Sequence, residues 1–147
     1  MTPKYKIMQL DLKREINGSP AQVFKAWLDP RNPSNCWYGC PVKVFKPKKG
    51  AFYYFLHTDE DDGEEYPHYG RFTELSQGKR VRMTWMSRNT CGLESVVTVT
   101  FKRKGKGTLL HINHANLPDN RAGMAHKEGW TYFMGELVKW FDKKGSR

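Results

Sequence analysis

Residues 119–142, DNRAGMAHKEGWTYFMGELVKWFD, decide the fold. From Trp130 onward the bulky apolar residues fall at Trp130, Phe133, Met134, Leu137, Val138 and Phe141. Steps of three and four place them on one stripe of a helix. Lys127, Glu128, Glu136, Lys139 and Lys143 lie largely outside that stripe, as a half-buried helix requires. Asp119 or Asn120 can cap the start by accepting hydrogen bonds from otherwise unpaired amides, and Gly145 suits the stop. A stripe this wide and rich in rings needs a broad, concave apolar partner. The remainder of the chain reads as strands able to supply one.

Residues 5–16 alternate, with Met8, Leu10, Leu12 and Ile16 on one side and Gln9, Asp11, Lys13 and Glu15 on the other. Asn17-Gly18 breaks this strand. Ser19 then caps a short helix, with Pro20 at its first position, Gln22 three residues after the cap, and Val23, Phe24, Trp27 and Leu28 as its stripe. Asp29-Pro30 ends it, and RNPSNCWYG leaves room for one further helical turn. Strands are then expected at Val42–Phe45, Ala51–His57, Tyr66–Leu75, Arg80–Ser87, Glu94–Arg103 and Thr108–His114, separated by glycine-bearing turns. Asn89–Gly92 reads as a turn, and Ala115–Pro118 as the lead into the long helix. Strands in sequence with helices kept apart indicate an α+β fold, a curved antiparallel sheet with helices on one face.

The chain has 147 residues, 38% hydrophobic and 14% aromatic. That length suits one domain burying roughly two-thirds of its unfolded surface, with large rings carrying much of the core. No apolar run approaches the roughly 20 residues of a membrane span. The opening MTPKYKIMQLDLKREI lacks the apolar segment of a signal peptide, so a soluble, cytoplasmic protein is expected. Cys36, Cys40 and Cys91 are too few and odd in number for a disulfide framework. The Cys36/Cys40 spacing occurs in some zinc sites, but the usual second pair is missing, and ordinary thiols are expected.

Net charge is +10, and six of the 15 acids crowd into Asp59–Glu65, which leaves a balance of +16 elsewhere. Such a surface could meet nucleic acid, acidic lipid or an acidic protein. No recognition helix, nucleic-acid-binding strand motif or zinc finger accompanies it, so nucleic acid is not the expected partner.

Several segments in order resemble a known family. They are Arg14–Pro30, Trp37, the glycine-then-aromatic strand Gly50–Phe55, Tyr69-Gly70-Arg71-Phe72, Lys79–Trp85, Val97–Phe101, Gly107–His114, Asn116-Leu117-Pro118 and Gly129-Trp130. Together they resemble the SRPBCC or START-like helix-grip superfamily. Within it they are most similar to the bacterial proteins named after the activator of the heat-shock-protein-90 ATPase. One departure is Lys49-Gly50, where a double glycine is common. The resemblance implies the helix-grip (Bet v 1-like) fold: about seven strands around a long C-terminal helix, one or two short helices after the first strand, and an apolar pocket between sheet and helix. Members of the superfamily bind or act on lipids, steroids, polyketides and similar molecules, but the fold alone names no activity.

Trp37, Tyr54, Tyr69, Trp85, Trp130 and Phe133 fall where that pattern places pocket walls, with plain core packing as the alternative for each. Phe52 and Tyr54 share one face of their strand, Tyr53 and Phe55 the other, and both faces are apolar. Thr108, Leu110, Ile112 and His114 share a face, which aims His114 toward the helix near the pocket's end. There it could act as acid or base or hold a ligand; a histidine satisfied at a strand terminus is the weightier alternative. His111 has the opposite parity and is expected to face solvent, while His126 lies near the start of the long helix, at the level of a pocket mouth.

None of the serines 19, 34, 76, 87 and 95 sits in a nucleophile elbow. The acidic loop lacks the spacing of hand-type calcium loops and reads as a solvated hairpin tip. The basic hairpin Lys102–Lys106 and the tail Lys143, Lys144 and Arg147 read as solvated edges.

The expected function is binding of a small hydrophobic molecule, lipid, sterol or polyketide-like, against Trp and Tyr rings, oriented by His114 or Tyr69. Alternatives are a chaperone-associated, stress-response module and a cyclase or dehydratase that would need a partner for His114. No cofactor, metal or catalytic residue is expected. The expected partners are a small hydrophobic molecule or a chaperone.

Overall fold

The structure, a computed structural model, describes residues 6–41 and 43–145. Strands β1 (Ile7–Ile16), β2 (Lys43–Val44), β3 (Phe52–Thr58), β4 (Glu65–Ser76), β5 (Arg80–Trp85), β6 (Ser95–Lys104) and β7 (Gly107–Pro118) form one antiparallel sheet in the order β1-β7-β6-β5-β4-β3-β2. Helix α1 (Pro20–Trp27) follows β1, and α2 (Arg121–Gly145) follows β7. The hairpins β3–β4, β4–β5, β5–β6 and β6–β7 are consecutive; β1 joins through β7, and the chain's first and last strands thereby lie side by side. This is the expected curved sheet gripping a C-terminal helix.

Alternation along each strand decides which residues meet α2. Val81, Met83 and Trp85 of β5, Val97, Val99 and Phe101 of β6, and Leu110 and Ile112 of β7 are buried on the concave face. On α2, Trp130, Met134, Leu137 and Phe141 are buried against them, and half-buried Val138 packs beside them. Asn120 caps α2 by accepting a hydrogen bond from Gly123 N at 2.9 Å. The helix α1 has the expected reciprocal cap, Gln22 N to Ser19 Oγ at 3.2 Å and Ser19 N to Gln22 Oε1 at 3.0 Å.

Three local expectations change. The one or two short helices reduce to α1, because residues 28–41 run as successive turns. The cause is local: Asn32 Oδ1 accepts from Ser34 N and Oγ, and Asn35 Oδ1 accepts from Trp37 N at 2.8 Å, contacts that compete with helical bonds. A 3₁₀ turn forms instead at Arg88–Thr90, where Ser87 and Thr90 cap each other. Strand β7 continues through Ala115–Pro118, since Leu117 and Pro118 pair with Met8 and Ile7 across a bulge. Val42, expected to open β2, lies outside the described residues. The departure at Lys49-Gly50 costs nothing: of the two, Gly50 alone takes a left-handed backbone, at φ 85°.

The turns after α1 deliver Trp37 to the densest part of the core. Its ring meets Trp27 at 5.6 Å, Phe45 at 4.4 Å, Tyr53 at 5.9 Å and Phe55 at 5.8 Å, and it is fully buried. Its Nε1 has no hydrogen-bond partner among the described residues. Behind it, Tyr53 donates its hydroxyl proton to Thr84 O at 2.7 Å, reaching from β3 to β5 past Gly70 of the intervening β4. A Cβ at Gly70 would lie 2.0 Å from that same carbonyl, so only glycine fits there.

Sheet and helix are tied by one polar chain. Ser95 Oγ lies 2.5 Å from Trp85 O and 2.8 Å from His114 Nε2, and Trp130 Nε1 lies 3.0 Å from His114 Nδ1. A carbonyl only accepts and an indole only donates, so every proton is assigned. Ser95 donates to Trp85 O, His114 donates from Nε2 to Ser95, and Nδ1 accepts from Trp130. Burial pushes the His114 pKa well below its ordinary value, which keeps the ring in this neutral form.

Two outcomes are expected. Gly70→Ala should lower stability by about 2 kcal/mol in a urea titration, because backbone faces the added methyl. Trp130→Phe should cost about 1–3 kcal/mol more than Trp37→Phe, because the first leaves His114 Nδ1 buried without a donor while the second removes a donor that has no acceptor. Equal losses would show that the chain through His114 carries no net stability.

Candidate functional site

Between the N-terminal half of α2 and strands β3, β4 and β5 lies a cavity of about 170 Å³. On α2 the lining positions are Ala125, His126, Gly129, Trp130 and Phe133, spaced as one edge of the helical stripe. Ala125 and Gly129 present almost no side chain, and it is there that the helix and sheet fail to fill the space between them. The sheet side is made by Phe55, His68 and Trp85, Cys36 adds to the wall, and exposed His57 and half-buried Asn89 stand at the rim.

The rings hold one another in place. Trp85 meets Trp130 at 5.1 Å, and His68 lies flat on Phe55, 4.4 Å away and 3° from parallel, with its edge 5.1 Å from Trp85. His126 meets His114 edge to face at 4.8 Å. His68 Nδ1 lies 2.8 Å from Tyr66 O, and His126 Nδ1 lies 3.0 Å from Gly123 O. Each Nδ1 therefore carries the proton and donates it to a carbonyl, which leaves Nε2 as an acceptor. Burial lowers the pKa of both rings; for His68, at about 4, nearby His126 and His57 add to the effect. Burial also raises the Cys36 thiol above its ordinary range, so it stays protonated.

The structure separates the residues expected from sequence. Trp85, Trp130 and Phe133 come together on the cavity wall. Trp37 packs behind it, within the core cluster. His114 points inward as its parity requires, but it is sealed at 0% exposure with both ring nitrogens already bonded, so it is not the orienting group. Tyr54 and Tyr69 are a correction. They pair with each other across β3 and β4 on the outer face of the sheet, and Tyr69 is 39% exposed. The inward positions of those strands belong to Tyr53, Phe55, His68 and Phe72. Position missed His68 altogether, although a signal was present: Arg71 and Thr73 share the parity of Tyr69 and mark it as outward, which turns His68 inward. His126, read as lying at a pocket mouth, is a buried part of the wall.

The other polar clusters have local roles. Asp59 Oδ1 accepts from Asp61 N at 2.8 Å and Glu64 pairs with Arg88, so the acidic tip folds on itself and on the 3₁₀ turn. His111, on the outer side, bonds Asp11 at 2.7 Å. Cys36, Cys40 and Cys91 are free thiols. Among the described residues no group of three or more His, Cys, Asp or Glu side chains is placed to hold a metal, and no helix is long and apolar enough to cross a membrane.

Comparison with known proteins agrees with this architecture. The family model described as "Activator of Hsp90 ATPase homolog 1-like protein" matches residues 17–142. Among solved structures, protein CV1439 from Chromobacterium violaceum is similar with a TM-score of 0.77 and 22% identity, covering 90% of this chain and 96% of that one. The AHSA1-like protein from Aeromonas hydrophila gives a TM-score of 0.68 at 16% identity, covering 95% and 96%. DynU16, from the dynemicin biosynthetic locus, gives 0.70 at 20%, covering 91% of this chain and 47% of its own. No curated protein matches the sequence. These identities speak for the fold alone, whereas the family model spans most of the chain, and the chain belongs to the Activator of Hsp90 ATPase homolog 1-like family.

Proposed function

We propose that this protein binds a small hydrophobic molecule in the cavity between α2 and strands β3–β5. The observation that carries the reading is the cavity wall: four large rings, Phe55, Trp85, Trp130 and Phe133, around an opening bordered by His57, Asn89 and Gly129. Apolar walls with a few polar groups are the usual composition of small-molecule sites. At about 170 Å³ the space is close to that of an engineered apolar cavity known to take benzene, so a ligand of one or two rings fits as the side chains stand. A lipid, sterol or polyketide-sized ligand exceeds this volume and requires the wall to open. That DynU16 comes from a biosynthetic locus is in keeping with a small organic ligand.

A second reading, action on a chaperone through the surface, draws on the family's description and on the exposed Val44, Phe52 and Tyr69 near the β2 edge. It predicts stimulated ATP hydrolysis when the protein is added to its host's chaperone. A cyclase or dehydratase built on His114 loses support, because that ring has no free nitrogen.

The opening offers a direct test. A Cβ at Gly129 would meet no atom within 4 Å, and the residue borders the cavity. Gly129→Met should abolish binding of small aromatic probes, followed by quenching of tryptophan fluorescence. Stability should be unchanged or raised by up to about 1 kcal/mol, since a helical glycine is being replaced. Unaltered binding in this variant would move the ligand elsewhere.

The charge state of the wall makes a second outcome measurable. Unfolded histidines take up protons near pH 6.5, whereas His68 in the folded protein does so only at about 4. Between those values the unfolded chain binds more protons, so stability is full above 6.5 and falls as pH drops. His114 and His126 shift in the same direction. The urea midpoint should correspond to a loss of roughly 2–3 kcal/mol between pH 7 and 4.5 from His68 alone. A flat profile would show that these rings charge freely.

A further inference from the structure

We infer that the cavity selects neutral ring compounds that donate a hydrogen bond, such as phenols, through the open Nε2 acceptors of His68 and His126. This rests on the cavity being the binding site. The polarity of the two imidazoles is fixed from behind. Each Nδ1 is committed to a backbone carbonyl, of Tyr66 and of Gly123, and a carbonyl cannot donate. Each Nε2 therefore bears a lone pair, and neither has a hydrogen-bond partner among the described residues. Neither ring can turn to hide it. His68 is stacked flat on Phe55, and His126, 9% exposed, is wedged against His114.

The rest of the wall excludes the charged alternatives. Among the described residues no lysine or arginine lines the cavity, so a carboxylate entering it would lose its water without meeting a cation. No aspartate or glutamate lines it either, so an ammonium would be equally uncompensated. Cys36 stays a thiol and adds no charge. A purely apolar ring would fit the space but would bury the acceptors unpaired, which costs affinity. A neutral hydroxyl on a ring meets both demands: its face lies on Trp85 and Trp130, and its proton reaches an Nε2.

The test is a comparison of phenol, toluene and benzoate at pH 7, three probes of nearly one size, titrated against the whole protein by calorimetry and by tryptophan fluorescence. Phenol should bind at least about tenfold more tightly than toluene, the effect of one buried hydrogen bond, and benzoate more weakly than either. In His68→Leu or His126→Leu the phenol-to-toluene ratio should fall toward one. Toluene binding as tightly as phenol, benzoate matching phenol, or a ratio unchanged in both variants would overturn the inference while leaving the cavity as a binding site. If none of the three probes binds, the cavity reading fails with it. The comparison of probes on the unaltered protein stands even if a variant does not fold.

Discussion

The hydrogen-bond chain from Trp85 O through Ser95 and His114 to Trp130 is the constraint on which the rest of the structure depends. It joins β5, β6, β7 and α2 through four buried groups, each 5% exposed or less, and each link is directional. A hydrophobic stripe fixes the depth of a helix on a sheet but tolerates rotation and sliding. The bond from Trp130 to His114 removes that freedom at one point, in the middle of the apolar interface, where an unmade bond would be costly. The chain holds the Trp130 indole and the Trp85 backbone, and the two rings, 5.1 Å apart, both line the cavity.

The cavity follows from how side-chain volume is distributed along α2. Its C-terminal half carries Met134, Leu137 and Phe141, and the Phe141 ring packs so tightly on Gly18 that a Cβ there would lie 2.5 Å from it. Its N-terminal half carries Ala125 and Gly129 on the edge that faces the cavity, and there a space remains that the aromatic side chains line but do not fill. Trp37 lies behind the wall. Held by Asn35 and surrounded by rings, it packs on Phe55, which explains its place among the sequence candidates without giving it contact with the cavity.

The stripe of α2, the cap of α1 and the alternation of β5 to β7 were legible in the sequence because one face in each is apolar and the other polar. The candidate site was less so. In β3 the run Phe52-Tyr53-Tyr54-Phe55 is aromatic on both faces, and its direction is set from outside the strand, by its register with β4. That register places Phe52 beside Arg71 and Tyr54 beside Tyr69, so charged, exposed Arg71 carries the information for both strands. Likewise the role of His114 turned on partners contributed by β6 and α2, at residues 95 and 130, which no pattern within β7 could reveal.

The distribution of charge then bears on what the protein admits. Among the described residues no lysine or arginine lines the cavity, on a chain of net charge +10. Such a surface raises the local concentration of anions. On the proposed reading the cavity would impose the opposite selection, since no cation lines it to offset the hydration an anion would lose. An anionic group on a ligand is therefore compatible with this protein only if it remains outside, near the rim at His57 and Asn89, while the ring it is attached to enters. On that reading surface and interior would act on different parts of one molecule, divided where exposed Gly129 borders the cavity.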